Sequence, residues 1–128
     1  IKVIIMEEYA IQVAQTAKEQ LITMTPASVL MSWGIKEFTA MVYNGMPALR
    51  IKVNGRLHTG YVIVALNGSD YYEVYLLHGI TAVYVNEEVC FDELGDVIDR
   101  AIEKGTDENE YKKFCEQQRA LLFGGRLT

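Results

Sequence analysis

The stretch "YNGMPALRIKVNGRLHTGYVIVALNG", residues 43–68, decides the fold because it holds three Asn-Gly pairs between runs of strand-forming residues. Asn and Gly both tolerate the positive φ that tight hairpin turns need, so each pair predicts a turn between two antiparallel strands. The middle of the chain is therefore predicted to form a β-meander. We expect its strands near residues 36–43, 48–53, 56–66, 71–77 and 81–86.

Apolar residues take the spacing of amphipathic helices on both sides of this meander. Helices are predicted over about residues 5–23 and over "TPASVLMSWG", residues 25–34, before the sheet. Two more are predicted after it, one that ends at Gly105 and one that begins at Thr106. We therefore expect the whole chain, as a single domain, to adopt an α+β fold. Its predicted form is an antiparallel four- to five-stranded β-meander with two N-terminal and two C-terminal helices packed mainly on one face.

Charge, hydropathy and cysteine spacing make several classes of function less favoured. The net charge of -5 disfavours a general nucleic-acid binder. The sequence has no run of about 18 apolar residues, so we expect no transmembrane helix and no membrane partner. Cys90 and Cys115 lack metal-ligand spacing and are predicted to be free, buried thiols, which fits a cytoplasmic location.

No recognisable catalytic or cofactor-binding motif occurs in the sequence. GxSxG, P-loop, HExxH and GxGxxG are all absent, and neither His58 nor His78 has a partner that the sequence identifies. The acids of "EEVCFDELGDVID", residues 87–99, recur at helical spacing opposite an apolar stripe, which is more typical of a solvated helix face than of a metal site. We therefore expect a non-catalytic protein with no cofactor and no bound metal.

The two faces of the sheet follow from the register of the hairpins, because residues paired across strands share a face. We predict a three-residue loop at residues 53–55, with Gly55 in the left-handed conformation, and four-residue loops at 44–47 and 67–70. The face predicted to lie under the helices holds Phe38, Ala40, Val42, Leu49, Ile51, Leu57, Tyr61, Ile63, Ala65, Tyr72, Val74 and Leu76. The opposite face is predicted to hold Met41, Tyr43, Arg50, Lys52, Arg56, His58, Val62, Val64, Leu66, Tyr71, Glu73, Tyr75 and Leu77.

One end of this second face is predicted to be apolar, which is unusual for a surface that meets only water. The residues that we predict to bind a partner there are Val62, Val64, Leu66, Tyr71 and Tyr75. The first hypothesis is therefore a binding module that uses this face to contact a protein partner or a second copy of itself, as a homodimer.

The other end of the same face is predicted to be basic. Its residues are Arg50, Lys52, Arg56 and His58, with Tyr43 beside them. Two interpretations stay open. One is a solvated surface that the protein's own acids neutralise. The other, which is the alternative to the protein-binding hypothesis, is a site for single-stranded nucleic acid or another anion, where tyrosines stack on unpaired bases.

Two segments of the chain resemble a group of bacterial proteins. They are "SWGIKEFTAMVYNGMPALRIKVNGRLHTGYVIVALNG", residues 32–68, and "DELGDVIDRAIEKG", residues 92–105. Both are similar to small uncharacterised proteins encoded in bacterial mobile and conjugative elements. The resemblance implies a cytoplasmic accessory protein, and it implies no activity, cofactor or site residue.

Overall fold

Four helices and a five-stranded antiparallel sheet make up the part of the chain that the computed structural model describes, residues 2–123 with the side chains of 6–83 and 85–121. Two helices precede the sheet, α1 (Lys2–Met24) and α2 (Ala27–Ser32). The strands are β1 (Glu37–Tyr43), β2 (Met46–Asn54), β3 (Thr59–Leu66), β4 (Tyr72–His78) and β5 (Thr81–Val89). Two helices follow the sheet, α3 (Leu94–Ile102) and α4 (Glu108–Phe123). The strands lie side by side in chain order, so the predicted α+β fold with a β-meander is confirmed.

The core lies between the helices and one face of the sheet, which we call the helix face. α1 packs on β1 and β2, and α3 packs on β5 and on α1. Trp33, fully buried after α2, donates from Nε1 to Oδ1 of the buried Asp99 at 2.9 Å, which links the end of α2 to α3 and gives the buried indole N–H a partner. The other side chains of this core are Ala14, Ala17, Leu21, Leu49, Ile51, Val53, Val62, Val64, Tyr72, Val74, Val89, Leu94, Ile98 and Ile102.

α1 is long enough to cross a bilayer, but its composition is that of an amphipathic helix. It has 23 residues, and its buried stripe of small and aliphatic side chains faces the sheet. Charged residues such as Glu7, Glu8 and Glu19 are exposed on its other side. Among the described residues, no helix combines the length and the apolar character that a membrane span requires.

β1 and β2 are joined by a two-residue turn at Asn44 and Gly45. Their φ values of 50° and 76° are left-handed, as a tight hairpin turn requires. Tyr43 therefore pairs with Met46, and the predicted four-residue loop is two residues too long. Because a shift by an even number of residues keeps every side chain on its face, the predicted faces of β1 and β2 are confirmed.

The register of β3 differs from the prediction. Ile51 on β2 pairs with Val62, whereas the predicted three-residue loop pairs it with Leu57. The loop that joins the two strands holds residues 55–58 instead. Because the difference is an odd number of residues, every side chain of β3 lies on the face opposite to the predicted one.

Contacts with the end of α3 determine the length of this loop. The N–H of Leu57 donates to the carbonyl of Ile102 at 2.7 Å, and the N–H of Arg56 donates to Oε2 of Glu103 at 2.7 Å. A Cβ on Gly55 would lie 2.4 Å from the Ile102 carbonyl oxygen, so glycine is needed there because α3 approaches closely. The predicted left-handed conformation of Gly55 is wrong.

Asn67 organises a longer loop between β3 and β4 than the sequence predicts. Its Oδ1 accepts the N–H groups of Ser69 and Tyr71 at 2.9 and 3.2 Å, and Asp70 adopts a left-handed φ of 64°. The loop holds residues 67–71, one more than predicted. This second odd error cancels the first, so β4 has its predicted faces and β3 is the strand whose faces were predicted wrongly.

Candidate functional site

The face of the sheet opposite the helix face, which we call the outer face, is covered by side chains of the sheet itself. Ala48, Ile63 and Ala65 are fully buried there, although no helical residue of the described chain belongs to this cluster. The half-buried side chains that cover them are Met41, Tyr43, Met46, Tyr75 and Leu77. We call these residues together the outer patch.

Two tyrosines form the aromatic part of the outer patch. Tyr43 lies on β1 and Tyr75 on β4, yet their ring centroids are only 5.0 Å apart, with the ring planes inclined by 50°. The rings therefore extend toward each other across Ala48 and Ala65 of the two intervening strands. Tyr75 also donates its hydroxyl to Oε1 of Glu73 at 2.6 Å, which holds its ring along the sheet. This arrangement explains how alanines become fully buried where no helical residue of the described chain covers them.

A basic group lies beside the outer patch. The guanidinium carbon of Arg50 is 4.5 Å from the ring centroid of Tyr61, and its Nη2 is 3.8 Å from Oε1 of Glu37. Lys52, on the same strand and face, is exposed. The stacked ring holds the Arg50 cation flat against the sheet, while the long contact with the exposed Glu37 neutralises it only weakly.

Three of the five residues predicted to bind a partner lie on the helix face. Val62 and Val64 are fully buried in the core, and Leu66 packs against it. The odd shift in the register of β3 is the physical reason, and it removes all three from any partner surface. Tyr71 is exposed in the loop before β4 and does not belong to the outer patch, whereas Tyr75 lies in the outer patch as predicted.

Met46 and Tyr61 lie on the outer face, although Met46 was predicted to lie in a loop and Tyr61 on the helix face. A signal for Met46 was present, because a two-residue turn at Asn44-Gly45 places it directly opposite Tyr43. Tyr61 had no local signal, since its face depends on the length of a loop that α3 determines.

Arg56, predicted as part of an anion site, is bound at the end of α3. Its Nε donates to the carbonyl of Glu103 at 2.9 Å and its Nη2 to the carbonyl of Lys104 at 3.0 Å. Its guanidinium carbon also lies 5.3 Å from the Phe114 ring centroid, and its Nη1 lies 3.3 Å from Oε1 of Glu110, both in α4. Arg56 therefore satisfies carbonyl groups at a helix end and connects α3 to α4. Its predicted place on the outer face is wrong.

His58 is buried, and its two ring nitrogens are both engaged. Nε2 lies 3.1 Å from the carbonyl oxygen of Tyr61, and Nδ1 lies 3.1 Å from Nε2 of His78. Because a carbonyl only accepts, Nε2 of His58 carries a proton and donates to Tyr61. In the neutral ring Nδ1 is then an acceptor, for which Nε2 of His78 is the donor. Burial lowers the pKa of His58, and the neighbouring His78 lowers it further, although the hydrogen bond to Tyr61 acts in the opposite direction. Burial therefore favours the neutral form of His58, which adds little charge to the basic group around Arg50.

One group in the described chain has ligand atoms close enough to hold a metal ion. Cys90, Asp92 and Glu93 bring a thiol and two carboxylates within 4.8 Å of one another just before α3. Desolvation raises the pKa of the Cys90 thiol, and the carboxylates of Glu93 and Asp92 raise it further. A protonated thiol is a poor metal ligand, so this group is more typical of a surface turn than of a metal centre. Both cysteines are free as predicted, but their predicted burial is wrong, because Cys90 is only partly buried and Cys115 is exposed.

The structure thus brings together Tyr43 and Tyr75, and beside them Arg50 and Lys52. Comparison with known protein families, curated proteins and solved structures finds no match to this chain.

Proposed function

We propose that the protein is a non-catalytic interaction module whose outer patch binds another protein. The composition of the outer face carries this proposal. Tyrosine, methionine and arginine side chains lie there over a fully buried apolar floor, and these residue types are enriched in protein interfaces.

The arrangement of apolar and charged residues on the outer face also supports a protein partner. The patch is apolar at its centre, and the charged residues Glu37, Lys52 and Glu73 lie around it. Protein interfaces have the same arrangement of an apolar core and a polar rim. Because Tyr43 and Tyr75 already pack against each other, a partner that covers them orders few additional torsions, which lowers the entropic cost of binding.

Single-stranded nucleic acid is the less favoured partner. Of the four basic residues predicted for that site, Arg56 is bound to α3 and His58 is buried in a setting that favours its neutral form. Arg50 and Lys52 are left on the outer face. Glu37 and Glu73 lie on the same face, and the chain has a net charge of -5. Backbone recognition of nucleic acid needs several cations that are not offset by neighbouring acids.

The proposed cellular role is that of an accessory protein in the bacterial cytoplasm. Its support is the resemblance of residues 32–68 and 92–105 to proteins of bacterial mobile and conjugative elements. An accessory role of this kind is compatible with a module that binds another protein and catalyses no reaction itself.

Site-specific photo-crosslinking of the full chain tests the proposal. A photoreactive amino acid is placed at Tyr43 in the outer patch or, as a control, at Met31 on α2, which is 82% exposed on the helix side. The probe at position 43 should form an adduct with a different protein. The probe at position 31 should form no adduct of the same mass. Met46→Glu, which places a charge in the patch directly opposite Tyr43, should lower the yield of that adduct by about tenfold or more.

Two results would replace or remove the proposal. An adduct that persists unchanged in the Met46→Glu variant, or that forms equally from position 31, would remove it. A labelled oligonucleotide that binds at low salt, and loses affinity with Arg50→Ala and Lys52→Ala but not with Met46→Glu, would replace it with nucleic-acid binding.

A further inference from the structure

β1 is an edge strand whose open side is left unprotected. Tyr43 and Met46 flank a two-residue turn, so they form a hydrogen-bonded pair, and alternate residues back along β1 bond to β2 in the same way. The N–H and C=O groups of the intervening residues Phe38, Ala40 and Val42 therefore point away from the sheet. Within residues 2–123, no strand lies next to this edge.

The other edge of the sheet, on β5, is protected against pairing. The pairing between β4 and β5 is interrupted by register shifts on both sides of Val74. β5 also carries the exposed adjacent acids Glu87 and Glu88. Irregular pairing and charge are the usual means by which proteins block edge-to-edge association. Residues 38–42 of β1 have no charge, no proline and no break in register, so β1 is the edge that is open to another strand.

A shallow groove runs between the β1 edge and α1. Ile11 and Val42 line its apolar middle and are 47% and 42% exposed. Glu7 lies at the Val42 end of this groove. Lys18 lies at the other end, with its Nζ 4.7 Å from the ring centroid of Phe38. The groove is therefore negative at one end, apolar in the middle and positive at the other end.

We propose that this edge pairs with the same edge of a second copy of the chain, in antiparallel register about Ala40. In that register Ala40 faces Ala40 of the second copy, and Phe38 faces Val42 of the second copy. The outward N–H and C=O groups of these residues all gain partners. The product is a homodimer with one continuous sheet made of both five-stranded sheets.

The charges at the two ends of the groove identify a second copy as the occupant. A two-fold axis at Ala40 reverses the direction of the groove, so Glu7 of one copy lies beside Lys18 of the other, twice in the dimer. The same axis brings the exposed Ile11 side chains toward each other. The surface is therefore complementary to itself in charge and in hydrophobicity, as an interface with two-fold symmetry requires.

The spacing of the helices fits the same arrangement. α1 packs on both β1 and β2, so its axis lies above these two strands. Adjacent strands are about 4.8 Å apart, so the two-fold axis places the two α1 helices roughly 10 Å from each other. Helices pack at about 8–10 Å, so the pair of α1 helices would close the groove without a collision.

This inference goes beyond the proposed function and does not rest on it. The dimer uses the β1 edge, whereas the proposed partner binds the outer patch. The two tests are also independent, because Met46 lies on β2 and outside the pairing edge. Met46→Glu is therefore expected to leave the dimer unchanged.

Sedimentation equilibrium over a range of concentrations tests the dimer with a matched pair of variants. Val42→Lys places a charge at the β1 edge, and Val83→Lys places the same charge on β5, where Val83 is 51% exposed and likewise on the helix face. We expect a dimer for the wild type and for Val83→Lys. Val42→Lys should raise the dissociation constant about a hundredfold, because two-fold symmetry places the new charge in the interface twice.

A charge exchange tests the register with residues on the surface of α1. Glu7→Lys alone and Lys18→Glu alone should each weaken the dimer, and the double variant should restore it. Circular dichroism checks that each variant is folded. A wild-type chain that stays monomeric at every concentration would overturn the proposal. Equal dissociation constants for the Val42→Lys and Val83→Lys dimers would overturn it as well. A dimer that is indifferent to all three charge variants would overturn the register about Ala40.

Discussion

The two faces of the sheet contain equally buried residues that are covered in different ways. Ile51 on the helix face and Ile63 on the outer face lie on adjacent strands, and both have 0% of their surface exposed. Ile51 lies beneath the helices, whereas Ile63 lies beneath half-buried side chains such as Tyr75. A helix excludes water as one unit, but a layer of separate side chains can rearrange. Complete burial of a residue therefore does not show that its face of the sheet is closed to a partner.

The largest expected difference between the faces comes from the same truncation made on each. Ile51→Ala should lower the free energy of unfolding by about 4 kcal/mol, because the helices hold the resulting cavity open. Ile63→Ala should lower it by about 2 kcal/mol, because the side chains of the outer patch can settle into the space. Urea unfolding followed by circular dichroism measures both values.

The slope of each unfolding curve serves as the control for this comparison. An unchanged slope shows that each truncation alters stability without altering how much surface unfolding exposes. Equal losses for Ile51→Ala and Ile63→Ala would mean that the outer patch is as rigid as the helix layer. The difference between the two faces would then not exist.

A smaller difference is expected between the two arginines that the sequence groups together. Arg56→Ala removes two hydrogen bonds to carbonyl groups at the end of α3 and should cost about 2 kcal/mol of stability. Arg50→Ala, on the outer face, should change stability by no more than about 0.5 kcal/mol. Thermal and urea unfolding measure the stability of both variants. Arg56→Lys should recover little of the lost stability, because an ammonium group does not reproduce the two contacts of the guanidinium with the carbonyl groups. A loss for Arg50→Ala as large as that for Arg56→Ala would show that Arg50 also has a structural role.

The elements of the fold could be predicted from the sequence because their signals are local. The periodic apolar residues of α1 predict its buried stripe, in which Ala10, Val13, Ala17 and Leu21 are indeed buried. The Asn-Gly pairs mark all three of the first hairpin connections. The faces of β1 and β2 also follow from the sequence, because Leu49, Arg50, Ile51 and Lys52 alternate and the β1–β2 hairpin is off by an even number of residues. β4 has its predicted faces because the two odd errors in loop length, before and after β3, cancel.

The faces of β3 could not be predicted in the same way. Residues 61–66 are apolar at every position, so alternation gives no information about which side each residue takes. The face then depends on the length of the loop before β3, and contacts of Leu57 and Arg56 with α3 determine that length. These contacts join residues more than 40 positions apart in the chain. The run of Val62, Val64 and Leu66 on a predicted outer face was itself a sign that the strand was inverted.

The candidate site was predicted in part for the same reasons. The prediction is correct for four residues, because the faces of their strands were predicted correctly. These residues are Tyr43, Arg50, Lys52 and Tyr75. Arg56 and His58 belong to the loop of residues 55–58, whose conformation depends on α3. Of the four basic residues that are close in sequence, Arg50 and Lys52 lie on the outer face. Arg56 and His58 instead make contacts within the fold.

The smallest expected effect is a pH dependence that distinguishes the buried His58 from the exposed His78. Burial lowers the pKa of His58 below its ordinary 6.5, so the unfolded chain binds a proton at a higher pH than the folded chain does. The free energy of unfolding should therefore be steady above about pH 7 and fall as the pH drops through the range in which histidine titrates. His58→Gln should remove this fall, whereas His78→Gln should keep most of it, because desolvation is the larger cause of the shift. Urea unfolding at a series of pH values measures this dependence of the free energy of unfolding on pH. If that free energy falls as steeply in His58→Gln as in the wild type, another group causes the pH dependence.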